Sequence, residues 1–164
     1  MPLSAREVQP ADGAWISTAL RHWDATYRWG FRGMTPNPES ISRALWNQVA
    51  LQHVLVDGDV PFGLVQLHDL DLHSSYGYIS ALLRPTADGF VDLLVAVQAF
   101  LRTAMGELPL RRLYVEVLGD ELAVMGPLGE HWAEEARLVE HERRGAAAFV
   151  DLHVFSTSSG ATVA

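Results

Sequence analysis

The sequence predicts an α/β domain: a single mixed, mostly antiparallel sheet flanked by helices. Three observations carry that prediction. Short apolar strand patterns recur along the chain, separated by turn residues. Between two of them, Phe90, Leu93, Leu94, Val97, Leu101 and Met105 fall at helical spacing, giving a strand–turn–helix–strand unit over Tyr78–Leu118. The chain has 164 residues, 49% of them apolar and 20% charged, and neither a repeat nor an interdomain linker is visible. That length suits one core-bearing domain. Residues 1–155 are expected to form it, with residues 156–164, small and polar, as a flexible tail.

Taken in order, Ser4–Val8 reads as a first strand, and Asp12 as the N-cap of a helix from about Gly13 to His22. The stretch Trp15 to Trp46 holds four of the five tryptophans, with Tyr27 and Phe31. Two prolines near Met34–Pro38 interrupt it, and Ser40 can cap a further helix through Ile41, Leu45 and Val49. His53–Val56 and Phe62–Leu67 read as strands around the tight turn Asp57–Asp59. A turn over Asp71–Ser75 leads into the strand Tyr78–Leu83. The long helix follows Asp88-Gly89 and stops at Gly106. Leu113, Val115 and Val117 alternate as the next strand, and a short helix near Asp120 is broken at Gly126-Pro127. Ala136–Glu142 and Ala147–Phe155 close the chain as a hairpin around Arg143–Gly145.

Composition excludes several classes. The absence of cysteine removes disulfides and thiolate metal sites. A net charge of −8, with every basic residue an arginine, argues against sequence-independent binding to nucleic acid. It would attract a cationic small molecule instead. No apolar run is long enough to span a membrane and Met1–Pro10 is not a signal peptide, so a soluble, cytoplasmic protein is expected.

The order of elements, with a helix between the fourth and fifth strands and a closing hairpin, resembles the GCN5-related N-acetyltransferase superfamily. Within it the chain looks like the ribosomal-protein alanine acetyltransferase branch. The likeness runs from about Arg6 to Ser156. Asp57–Val65 is similar to the family's second and third strands, Arg111–Leu118 to its fifth, and Trp132–Arg137 with Gly145 and Asp151 to its closing segment. This resemblance implies fourth and fifth strands that splay apart, with the arm of acetyl-CoA or another acyl-CoA in the gap along Ile79–Leu83. The pyrophosphate would rest on the turn before the long helix, held by N–H groups and the helix dipole. Its implied contacts are Ile79, Leu82, Leu83, Arg84, Asp88, Gly89, Phe90 and Val91. The turn departs from the family pattern, however. Asp88 stands where a basic residue or glutamine is usual, and Val91 where a second glycine or alanine is usual. Arg84 or Arg102 could serve instead, and Asp88 also fits as a plain helix cap.

The family's strand glutamate maps to Tyr78 and its helix tyrosine to Pro127, so both customary catalytic groups are replaced. Tyr78 is the candidate acid. Ser80, two residues on and on the same face, could hold a water, and Glu116 could point into the gap. Trp23, Tyr27, Arg28 and Trp29 belong to the segment that lines the acceptor side in this family. The rings could wall an apolar pocket and Arg28 could meet a carboxylate or phosphate; packing against the sheet and solvation are the alternatives. If His68–His73 is extended, Asp69, Asp71 and His73 share a face, but so local a set at a hairpin end reads as a polar turn, and no metal is expected. The expected function is acyl transfer from a coenzyme A thioester to a small-molecule amine, with a protein N-terminus as the neighbouring substrate class. Two other readings keep the fold: a binding or partner module, and an acyltransferase fed by a carrier protein. Pairing of two copies through the last strands is left open.

Overall fold

A computed structural model of the protein describes residues 3–21, 37–83, 90–124, 131–144 and 147–158. In chain order these form β1 (Leu3–Glu7), α1 (Asp12–Leu20), α2 (Pro38–Trp46), β2 (Val49–Asp57), β3 (Val60–Asp71), β4 (Tyr76–Leu83), α3 (Phe90–Glu107), β5 (Arg112–Leu118), a 3-10 turn (Gly119–Val124), β6 (Ala133–Arg144) and β7 (Ala148–Ser158). The strands make one seven-stranded sheet in the order β1-β2-β3-β4-β5-β7-β6. Every neighbouring pair is antiparallel except β4 and β5. Parallel neighbours need a crossover, which α3 supplies. The sheet is therefore single, mixed and mostly antiparallel, as the sequence predicts.

Strand alternation divides the apolar residues between two cores. On one face Leu55, Val65, Leu67, Ile79 and Leu113 pack against Val97, Phe100, Leu101 and Ala104 of α3, which recur at helical spacing. On the other, Val54, Val56, Leu64 and Leu82 lie under Ile16 and Leu20 of α1 and Ile41 and Leu45 of α2. The β2–β3 hairpin turns at Gly58, whose φ of 60° is the left-handed conformation that glycine adopts without penalty. Gly77 serves differently: a Cβ there would stand 2.7 Å from Leu70 Cδ2 and 2.9 Å from Leu67 Cδ1, so its bareness lets two leucines close over β4.

Several local expectations change. Asp12 does not cap α1. It is the first helical residue and lies buried, its carboxylate accepting from Arg6 at 2.8 and 2.7 Å and from the Gln9 N–H at 2.7 Å. The cap of α2 is Asn37, whose Oδ1 accepts the Ser40 N–H at 2.8 Å, with Pro38 in the first turn, where its missing N–H costs nothing. Val49 opens β2 rather than ending a helix. β7 runs through Ser158, taking in the first three residues of the expected tail, and Ser156 and Thr157 are buried. No described helix is long and apolar enough to cross a membrane.

Candidate active site

β4 and β5 pair only at Tyr76↔Arg112, Gly77↔Leu113, Tyr78↔Tyr114 and Ile79↔Val115. Beyond that point they part. β4 stays bound to β3 from Ser80↔Gln66 to Leu83↔Gly63, and β5 to β7 from Glu116↔Val154 to Leu118↔Leu152. Among the described residues, each strand therefore presents an unpaired backbone edge to the gap. Those edges carry obligatory donors and acceptors that a ligand or water must satisfy. The slot opens at the carboxyl ends of two parallel strands joined by a helical crossover, where α/β sheets usually hold ligands. Its first free residues are Ser80 on one side and Glu116 on the other, which continued pairing would have set opposite each other.

The face that carries α1 and α2 changes character in rows set by strand register. Val54, Leu64 and Leu82 form an apolar row beneath the helices. Next come Gln52, Gln66 and Ser80, then His68, Tyr78 and Tyr114. Gln66 Nε2 donates to Gln52 Oε1 at 2.8 Å with both residues buried, while Gln52 Nε2 finds no partner among the described residues. Tyr78 stacks on Tyr114, ring centroids 5.3 Å apart, and on His68 at 6.3 Å; Tyr76 meets both tyrosines edge-on. His68 bridges two polar groups: Nε2 lies 2.8 Å from Ser80 Oγ and Nδ1 lies 2.8 Å from Asp69 Oδ2.

Electrostatics match this crowding. Glu116 is open to solvent, yet loss of hydration to the surrounding protein raises its pKa, as expected of a group in a concave slot. Glu142 and Asp69 push it further up, while His68 and His141 pull it down. Burial also raises the Tyr78 hydroxyl, helped by Glu116, Tyr76, Tyr114 and Asp69, so it stays protonated at neutral pH.

Of the residues expected at the site, Tyr78, Ser80 and Glu116 lie together on one face at the mouth of the slot. Ile79 and Leu82 turn their side chains into the two cores, so only their backbone is available to an arm in the gap. Leu83 ends β4, and Phe90 and Val91 open α3. Arg84, Asp88, Gly89, Trp23, Tyr27, Arg28, Trp29 and Pro127 lie outside the described residues. The His68–His73 segment is not evenly extended. A bulge between His68 and Asp71, with Asp69 at φ 49°, turns the Asp69 carboxylate back onto His68. Asp71 instead accepts the Ser74 N–H at 2.9 Å, which holds its pKa low. Among the described residues no group of His, Asp and Glu is placed to hold a metal. Sequence reading did not anticipate that His68, Asp69 and Tyr114 gather with Tyr78 and Ser80. The signal present was polar spacing by two, Gln66 then His68, inside an otherwise apolar strand.

Comparison with solved structures decides the fold. A spermidine N-acetyltransferase from Vibrio cholerae, in complex with CoA and spermine, superposes with a TM-score of 0.81 over 99% of this chain and 98% of that one, at 15% identity. The chain has the GCN5-related N-acetyltransferase fold. Mutant forms of the Vibrio cholerae spermidine/spermine N-acetyltransferase give 0.81 over 98% and 96% at 16% identity, and a probable acetyltransferase gives 0.76 over 95% and 92% at 16%. No protein-family model matches the sequence, and no curated protein matches it significantly. The expected parting of the fourth and fifth strands is present and begins after Ile79.

Proposed function

We propose that the protein is an N-acyltransferase that moves an acetyl or other acyl group from a coenzyme A thioester to an amine of a small cationic molecule. The observation that carries this reading is the fork after Ile79 and Val115, with Ser80 and Glu116 as its first unpaired residues. An extended thioester-bearing arm can satisfy the free backbone of Ser80–Leu83, and α3, the crossover from β4, offers its N-terminus to the pyrophosphate. Glu116, with its raised pKa, is suited to take the proton from an incoming ammonium. Tyr78, kept protonated, is suited to donate to the departing thiolate. Acidic groups around Glu116 and a net charge of −8 favour a cationic acceptor, and a protein of the same fold has been captured with spermine. The free outer edge of the sheet, β6, exposes Leu138 and Val139, which supports pairing of two copies there.

Two measurements test the reading. Acetyl-CoA at a hundred times its dissociation constant adds about 2.7 kcal/mol to stability. For a chain of this length that raises Tm by roughly 5–10 °C. Thiol release from acetyl-CoA should then depend on added amine, with spermidine, spermine and an uncharged aromatic amine as the probes. No thermal shift with any acyl-CoA removes the coenzyme donor from the proposal.

A further inference from the structure

We propose that Ser80 anchors the acceptor's nitrogen: His68 and Asp69 fix its hydroxyl as a hydrogen-bond acceptor, which receives one N–H of a primary ammonium across the slot from Glu116. The inference deepens the acyl-transfer reading and rests on it for the presence of an amine. It adds no covalent step; Glu116 remains the base and Tyr78 the donor to the thiolate. Asp69, an acceptor when ionised, takes the hydrogen on His68 Nδ1 at 2.8 Å. In the neutral imidazole that leaves Nε2 a lone pair, which accepts the Ser80 hydroxyl at 2.8 Å. The one hydrogen that a serine can donate is thereby committed. What Ser80 Oγ has left to offer a ligand is its lone pairs.

The backbone supports the assignment. Asp69 at φ 49° and Gln48 at φ 60° are both held in the left-handed region, disfavoured for residues with a Cβ, and they are joined through the Asp69 N–H and the Gln48 carbonyl at 3.1 Å. Without the bulge, alternation would send Asp69 to the opposite face from His68. The bulge brings the carboxylate round to the imidazole, and the imidazole reaches Ser80. The strained pair therefore has a visible product: a hydroxyl held in one orientation on the first unpaired residue of β4.

Register then selects the ligand. Ser80 and Glu116 are the first residues past the fork on their strands, and their side chains share a face. Together they offer a neutral lone pair and a carboxylate, and no donor. A hydroxyl brings one hydrogen to two such groups and leaves one of them unmet. A primary ammonium brings three, one for Glu116 and one for Ser80. The bond to Ser80 also outlasts the proton transfer, because the neutral amine keeps two N–H groups. The nitrogen is then held at the slot while its new lone pair turns toward the thioester carbon. Ser80 thus positions the nucleophile, and His68 and Asp69 are positioning residues that act through it.

The experiment uses the whole protein with excess coenzyme A. Calorimetry measures the binding of n-butylamine, tyramine and spermidine, and of butyltrimethylammonium, which keeps the charge and has no N–H. Turnover of the three amines with acetyl-CoA is measured on the same proteins, and their Tm reports that they are folded. We expect Ser80→Ala to weaken the primary ammonium compounds about ten- to a hundredfold, as for a hydrogen bond to a charged group. Butyltrimethylammonium and the KM for acetyl-CoA should not change. Ser80→Thr keeps the hydroxyl and should recover most of the loss. His68→Phe keeps a ring stacked on Tyr78 and removes both nitrogens, so it should weaken the same compounds less than Ser80→Ala and add nothing to it in the double variant. The proposal is overturned by a parent that binds none of the three amines, by unchanged amine affinity in Ser80→Ala, by an equal loss for butyltrimethylammonium, or by additive losses in the double variant. Binding that Ser80→Ala weakens, without turnover, upholds the anchor and removes the acyl-transfer reading. Turnover that Ser80→Ala leaves intact does the reverse.

Discussion

Gln52 and Gln66 make a test in which one substitution and two have opposite signs. They are 6% and 3% exposed, joined by a single 2.8 Å hydrogen bond, with Gln52 Nε2 left without a partner among the described residues. Methionine keeps the unbranched shape of glutamine and removes its polar atoms. Gln52→Met deletes the orphaned donor but orphans Gln66 Nε2 in its place, so the desolvation cost only moves. What is lost is the hydrogen bond, about 1 kcal/mol, or roughly 2–4 °C in Tm for this length. Gln52→Met with Gln66→Met loses the same bond but also relieves the buried orphan, worth about 1–3 kcal/mol, and places apolar atoms in the vacated space. The double variant should therefore be about 1–2 kcal/mol more stable than the parent and melt roughly 2–8 °C higher. Thermal and urea melts of the three proteins read this directly. Gln66 stands opposite Ser80, so the stabilised protein should turn over acyl donor more slowly. A double variant that melts below the parent refutes the accounting.

The remaining predictions are shorter. Arg6→Ala strands the buried Asp12 carboxylate, and because Arg6 is 35% exposed and water can enter, we expect a loss just under that of a fully buried broken pair, about 2–3 kcal/mol of stability. The Arg6 hydrogen bonds depress the Asp12 pKa in the folded state, so its contribution is complete above the ordinary aspartate value near 3.9 and disappears as pH falls through the folded value. Acid melts of the parent should show this loss, and Asp12→Asn should not. Asn37→Ala removes the cap of α2 and should cost about 1 kcal/mol in a urea melt, with Asn37→Ser recovering most of it. The ascending limb of the pH–rate profile should lie above that of an ordinary glutamate and vanish in Glu116→Gln; Glu142→Gln, which removes a repelling neighbour, should move it to lower pH.

How much of this was legible in the sequence follows from the range of the interactions involved. The strands, the long helix and the Asp57–Asp59 turn are written in local periodicity and turn chemistry, which is why their order alone pointed to the fold. Asp12 misled because an aspartate before an apolar helix has the composition of a cap, and nothing local announces that Arg6 will reach it across the β1–α1 turn. Ser80 and Glu116 could be set on one face from the sequence because both lie on strands whose alternation is clean. His68 and Asp69 could not. Their roles depend on a bulge, and a bulge is set by the partner strand and by the contact with Gln48 rather than by the residues that form it. Tyr114 escaped for a related reason: its stacking with Tyr78 exists only once β4 and β5 are parallel neighbours in one register.

The fork explains how a sheet so continuous elsewhere opens a slot at its middle. Each of its two strands has a second partner that keeps it in place past the opening, β3 for β4 and β7 for β5. Parting therefore forgoes only the hydrogen bonds between the two, and the groups released remain available to solvent or to an extended ligand. Strand twist favours the divergence, since two half-sheets anchored on different neighbours need not rotate in step. The pair at the branch point also sets which groups the gap presents. Apolar residues there would present nothing reactive to the gap, whereas Ser80 and Glu116 place a hydroxyl and a carboxylate where the backbone is already unsatisfied. The amide row behind Ser80, the imidazole at its side and the acidic groups around Glu116 are then consequences of register, each arriving because the residue across from it is already there.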